Sequence, residues 1–236
     1  MQNFCSNKEV EKLLKPLILF KEVPEEIISK YWARAYTYET PFYSIMNKSL
    51  MRKEYKEYEI YIKLLYKGLA LDSYRPQFGS TISRGTKLEI SEINYLKSIA
   101  GTEQIIYNRS FLSFSLNKEK SIKFESNEER DDGKHVPSSF ANPPKKGDTK
   151  SFSVLIQLSN INEEENNKYL ISNAQLYDIS RYTKEEEVLI FPFTGFEVTD
   201  WETTTFDYND KETEGTCFYF KFSQSYYDKI KEEYDE

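Results

Sequence analysis

Glu185-Glu186-Glu187-Val188-Leu189-Ile190-Phe191 joins three consecutive carboxylates to an unbroken apolar run. It reads as an acidic loop running straight into a buried strand. In extended chain, residues two apart point to the same face, so Glu185 and Glu187 are expected to aim at one site while Glu186 points away. Two carboxylates so placed can divide two tasks on one substrate: one stabilises a cationic transition state, the other holds or deprotonates a nucleophile. A glutamate run standing alone is an ordinary solvated surface, so the reading depends on what accompanies it.

Two other runs do. Phe111-Leu112-Ser113-Phe114-Ser115-Leu116 alternates, turning Ser113 and Ser115 to one face and Leu112, Phe114 and Leu116 to the other. A serine pair on a strand can orient a ribose or a carboxylate. Thr81-Ile82-Ser83-Arg84-Gly85-Thr86 ends a β-prone run in an arginine, whose planar fork of donors suits phosphate oxygens. The glycine after it lets the backbone approach a ligand.

Outward from these runs the chain changes character once. From about Asn7 to Ala70, apolar residues recur at three- and four-residue steps: Leu13, Leu14, Leu17 and Leu19; Ile27, Ile28, Tyr31 and Trp32; then Tyr58, Ile62, Leu65 and Leu69. This predicts helices, with the aromatics in the core. After Asp72-Ser73-Tyr74-Arg75-Pro76, short β-prone runs begin: 80–84, 111–116, 152–158, 169–171, 188–191, 196–201 and 217–222. Helices are expected at 91–100 and 118–123, and a polar loop at 125–150. The predicted architecture is α+β, with a helical N-terminal lobe (1–75) and a β-rich core (76–236) forming one integrated domain.

Composition removes several function classes. A net charge of −7 gives no general attraction for nucleic acid. With two cysteines far apart and one histidine, His135 in the polar loop, no structural zinc set can be assembled from Cys and His. No stretch approaches the roughly 20 apolar residues of a membrane span, and no secretory signal is evident. No phosphate loop of the Walker type is present.

In this order, an arginine on a first strand, Ser-x-Ser on a second and Glu-x-Glu entering a later one, the chain resembles the arginine-specific mono-ADP-ribosyltransferases of the R-S-E class. The flanks agree: residues 111–124 resemble the family's serine strand followed by a short helix ending in phenylalanine. Residues 179–189 resemble its acidic loop, and Tyr36-Thr37 and Phe42-Tyr43 through Asn47 and Leu50 its preceding helical piece. Phe114 departs from the usual threonine, and the disulfide framework of cell-surface members is missing.

The resemblance implies two packed, mainly antiparallel sheets forming an NAD cleft, NAD as co-substrate with no metal, and a protein partner bearing an exposed arginine. It assigns Glu187 to the oxocarbenium-like transition state and the ribose 2′-hydroxyl, and Glu185 to the acceptor guanidinium. Arg84 would hold the diphosphate or the adjoining ribose, Ser113 would support Glu187 and the nicotinamide-side ribose, and Ser115 would assist. Gly85 would meet the nicotinamide amide through its backbone. Phe124 is assigned to stacking on nicotinamide, with Phe111 and Phe140 competing, and Tyr182 to the protein substrate. The setting it implies is the cytoplasm or delivery into a host cell as an effector. NAD glycohydrolase activity, or a non-catalytic NAD- or ADP-ribose-binding module, are the alternatives.

Overall fold

The computed structural model describes residues 24–37, 41–52, 54–70, 81–125, 151–159, 173–176, 179–180, 186–208 and 211–223. The expected strand at 169–171, His135, Phe140, Tyr182 and Glu185 lie outside these residues. Three helices come first: α1 (Glu25–Tyr36), α2 (Pro41–Arg52) and α3 (Glu59–Leu69). Pro41 opens α2, where its fixed φ suits the first helical turn and its missing N–H costs nothing.

α1 and α3 touch at small residues. A Cβ on Gly68 would fall inside the carbonyl of Ser29, with the Ala33 methyl 3.3 Å away, so backbone meets backbone where a side chain would hold the helices apart.

The remaining elements are β1 (Ile82–Glu89), α4 (Ile90–Ile99), β2 (Ile105–Tyr107), β3 (Leu112–Ser115), α5 (Lys118–Glu125), β4 (Ser151–Ser159), β5 (Asn173–Gln175), β6 (Glu187–Ile190), β7 (Gly195–Tyr208) and β8 (Lys211–Phe222). Their order across the sheet is β2-β7-β8-β4-β1-β3-β6-β5, with only β4 and β8 parallel. β1 and β4 pair over eight residues, but β1 and β3 share one register pair, Ser83↔Ser115. The expected two sheets are therefore present as two groups of strands, β2-β7-β8-β4-β1 and β3-β6-β5, joined through that one pair.

Burial explains the deciding run. Val188 and Ile190 join the main core with Ile82, Ile156, Phe218 and α4 residues Ile93 and Leu96. Leu189 and Phe191 join a second core with Ala33, Tyr36, Met46, Leu50, Leu65 and Leu69 of the three helices. β6 is thus apolar on both faces because one faces the larger strand group and the other the helical lobe. On the outer side of β4 and β8, Leu155, Phe206 and Cys217 are covered by Ile122 of α5.

Several bounds differ from the expected ones. β1 runs on through Gly85 to Glu89, since a glycine paired opposite Leu155 continues a strand rather than ending it. β7 and β8 extend into a long ribbon, Thr203↔Thr216 out to Tyr208↔Lys211, whose exposed polar residues show no apolar alternation. β2 and β5 have three residues each, too short for a periodic signal.

The α1–α3 contact yields a stability test. Gly68→Val should cost about 1–3 kcal/mol by overpacking, seen as a melting temperature lowered by several degrees. Ser29 Oγ, buried with no hydrogen-bond partner among the described residues, gives the opposite expectation: Ser29→Ala should leave the melting temperature unchanged or raise it slightly.

Candidate active site

The site forms where β1 and β3 part. Beyond the Ser83↔Ser115 pair the strands no longer share a ladder, and the Ser113 carbonyl instead accepts a hydrogen bond from Arg84 Nη1 at 2.9 Å. Arg84, half-buried on β1, thus spans the opening between the two groups of strands.

Across β3 from this contact, Ser113 Oγ donates to Glu187 Oε1 at 2.6 Å. A hydroxyl donating to a carboxylate at this distance is a charge-assisted bond that fixes the acceptor's direction. Antiparallel pairing of Ser113 with Leu189 and of Ser115 with Glu187 sets both side chains on the same side of the sheet. Glu187 is the first residue of β6, one position earlier than the expected strand start, so its backbone is anchored in the sheet. Burial raises its pKa above the ordinary 4.5, while the Ser113 hydroxyl and the Arg84 charge pull it back down.

The helical lobe supplies the next wall. Tyr36, buried at the end of α1, accepts a hydrogen bond at its Oη from Asn47 Nδ2 at 2.9 Å. Asn47 Oδ1 in turn accepts the Phe111 N–H at 3.1 Å, just before β3 begins. That N–H fixes which end of the Asn47 amide is oxygen. Burial pushes the Tyr36 pKa well above its usual 10, the Asn47 hydrogen bond opposes it, and Glu187 and Arg84 act on it with opposite signs. Tyr36, Glu187 and Arg84 therefore lie within electrostatic reach of one another. The rings of Tyr36 and Phe111 are 5.3 Å apart and those of Phe111 and Phe191 5.9 Å.

At the far ends of β3 and β6, fully buried Asn108 ties two loops together. Its Nδ2 donates to the Ser110 and Phe191 carbonyls, each at 2.7 Å, and its Oδ1 accepts the Thr194 N–H at 2.9 Å. The strand pair that carries Ser113 and Glu187 is thus fastened at the end where β3 begins and β6 finishes.

The structure brings Arg84, Ser113 and Glu187 together, linked through Ser113. Gly85 is buried beside Arg84 in β1. Ser115 is buried, and its Oγ accepts the Asn117 N–H at 3.0 Å in the turn that opens α5. Phe124 belongs to α5, but its side chain, like all of Tyr182 and Glu185, lies outside the described residues. Phe111 is committed to packing between Tyr36 and Phe191, so it does not present its ring for stacking on a ligand.

The alternation argument across 185–187 needs correcting. Glu186 has φ +50°, a left-handed rather than extended conformation, so the chain turns at Glu186 and strand geometry does not relate Glu185 to Glu187. Sequence reasoning also missed Tyr36 and Asn47 as walls of the site. Their signal was the helical flank of the resemblance; their contact with the site is tertiary.

No protein-family model and no curated protein matches the chain. Among solved structures it is similar to Vis, an ADP-ribosyltransferase toxin of Vibrio splendidus determined with the M6 inhibitor: TM-score 0.56 at 18% identity, over 95% of this chain and 89% of that one. It is similar to C2-I, the enzymatic component of the Clostridium botulinum C2 toxin: TM-score 0.52 at 16% identity, over 92% of this chain and 48% of that one. A third is exoenzyme S of Pseudomonas aeruginosa, bound to carba-NAD and in complex with human 14-3-3 protein beta: TM-score 0.52 at 13% identity, over 93% and 84%. Helical lobe, two strand groups parting at a single residue pair, and an arginine, a serine and a glutamate meeting where they part give this chain the ADP-ribosyltransferase fold.

Proposed function

We propose that the protein is a mono-ADP-ribosyltransferase that cleaves NAD and passes ADP-ribose to an arginine side chain of a protein. The observation that carries this reading is the 2.6 Å bond from Ser113 to Glu187, with Arg84 on the same β3 peptide. Cleavage of the nicotinamide–ribose bond develops positive charge on the ribose, and a carboxylate held in a partly buried site stabilises it without having to reorganise. Ser113 holds that carboxylate in place. Arg84 supplies a fixed positive fork for the diphosphate, and the Gly85 backbone meets the nicotinamide amide. Phe124 stacks on nicotinamide, while Glu185 and Tyr182 receive the acceptor arginine and its protein. The chemistry needs no metal.

The choice of arginine rests on the Glu-x-Glu pattern at 185–187. Vis and C2-I belong to toxins, and delivery into a host cell is the setting we propose. Among the described residues no helix is long and apolar enough to cross a membrane.

The test is transfer of labelled ADP-ribose from NAD to agmatine, with nicotinamide release measured alongside. Glu187→Gln should lose both reactions by at least about a hundredfold, the usual loss for one preorganised electrostatic group; Glu185→Gln should keep NAD cleavage and lose transfer. Cleavage without labelling in the wild type would make the protein an NAD glycohydrolase. Binding of NAD with neither reaction would make it a binding module.

Two pH effects follow from the raised Glu187 pKa. Cleavage requires the ionised carboxylate, so kcat/KM for NAD should rise with pH through an apparent pKa above 4.5. Folding favours the neutral form, so this contribution to stability is fully present below 4.5 and is lost as pH rises through the folded value. Glu187→Gln should accordingly melt at or above the wild-type temperature at pH 7, and the difference should shrink toward pH 4.

A further inference from the structure

We infer that Ser121, a buried residue of α5, is a positioning residue for Arg84: it sets how firmly the protein grips the diphosphate of NAD without touching the ligand itself. This rests on the transferase reading, which places the diphosphate at Arg84, and adds to it a residue on which NAD binding depends.

α5 and the turn before it are tied to both members of the one pair that joins the two groups of strands. On β3, Ser115 Oγ accepts the Asn117 N–H at 3.0 Å. Asn117 Oδ1 in turn accepts the N–H groups of Glu119 at 3.1 Å and Lys120 at 3.3 Å, as an N-cap does, and so starts the helix. One turn further on, Ser121 Oγ donates to the Ser83 carbonyl of β1 at 2.7 Å. Ser83 and Ser115 are the register pair beyond which β1 and β3 part.

A serine inside a helix often turns its hydroxyl back on the carbonyl four residues earlier. That acceptor is present here: the Asn117 carbonyl lies 3.3 Å from Ser121 Oγ and already takes the Ser121 N–H at 3.2 Å. A hydroxyl has one proton to give, and the shorter contact directs it to β1. The bond therefore belongs to the tertiary structure and not to the helix.

The Ser83 carbonyl and the Arg84 N–H share one planar peptide unit. Fixing its oxygen fixes the direction in which the main chain enters Arg84, and with it the point from which the guanidinium spans the opening to the Ser113 carbonyl. Ser121 is 1% exposed, so a ligand in the cleft does not reach its hydroxyl and its effect passes through this peptide. Glu187 is held separately, by the β3–β6 register and the Ser113 hydroxyl. Loss of the Ser121 hydroxyl is thus felt in the grip on the diphosphate and not in bond cleavage.

The experiment compares wild type with Ser121→Ala by nicotinamide release over a range of NAD concentrations. Binding is measured alongside for ADP-ribose, which carries the diphosphate, and for nicotinamide, which does not. Ser121→Ala should raise the KM for NAD and the Kd for ADP-ribose alike, by about three- to tenfold, the loss expected for one buried hydrogen bond. Its kcat should stay within about twofold of wild type, and nicotinamide binding should not change. Should Ser121→Ala fail to fold, Ser121→Cys fills the same space with a far weaker donor and carries the same expectation. Glu119→Gly loosens the helix at an exposed position but keeps the Ser121 hydroxyl, and should leave ADP-ribose binding within about twofold of wild type.

An ADP-ribose affinity unmoved by Ser121→Ala overturns the inference. So does an equal weakening of nicotinamide and ADP-ribose, or a Glu119→Gly variant that weakens ADP-ribose as much as Ser121→Ala does, since each marks a general loosening of the fold. A wild type that neither cleaves NAD nor binds ADP-ribose overturns the transferase reading, and this inference with it. A wild type that binds ADP-ribose without cleaving NAD overturns that reading alone, and the binding measurements then decide the role of Ser121.

Discussion

Everything at the site depends on β1 and β3 staying paired for one residue and no further. Ser83↔Ser115 keeps the two groups of strands in one sheet, and the parting beyond it leaves the Ser113 carbonyl without a ladder partner from β1. A buried peptide carbonyl must find a donor. Arg84 supplies one, so a backbone requirement of the fold also holds a guanidinium beside the strand that carries Ser113. From the same strand, Ser113 directs the Glu187 carboxylate.

The helices are part of this device rather than an appendage to it. They cover the face of β6 that bears Leu189 and Phe191, and the Asn47 amide reaches the N–H of Phe111, two residues before Ser113. Tyr36 accepts a hydrogen bond from this amide and lies within electrostatic reach of Glu187 and Arg84. One strand pair thus has a core on either side, and its two catalytic candidates are held from the strands, from the lobe and from the Asn108 tie.

How much of this could be read beforehand varies by residue. Arg84, Ser113 and Glu187 were legible because each sits on or beside a short run whose alternation fixes its face, and because their order is distinctive. The strand around Val188 was legible because a run that is apolar throughout needs cover on both sides. Gly85 misled, since a glycine in a strand leaves the same mark as one in a turn. The left-handed conformation at Glu186 left no mark at all, as nothing about a glutamate announces it; the reasoning from extended alternation failed there. The links from Asn47 and Tyr36 depend on helix packing that no local pattern encodes, and the β7–β8 ribbon carries one buried aromatic, Phe206, among polar residues, so it lacked the periodicity that betrays a strand.

The placing of β8 bears on how such a chain reaches its native state. β8 is the last described strand in the sequence, yet it lies between β7 and β4, and its pairing with β4 is parallel. Partners 62 positions apart, such as Val154 and Thr216, must find each other after a long loop has closed, which slows assembly. Until they do, β7 with β2 has no connection to the rest of the sheet, and the edge of β4 remains open. A chain emerging from a ribosome therefore holds its arginine, serine and glutamate strands before the strand that completes the sheet. The sheet is completed by the last of its described strands in sequence.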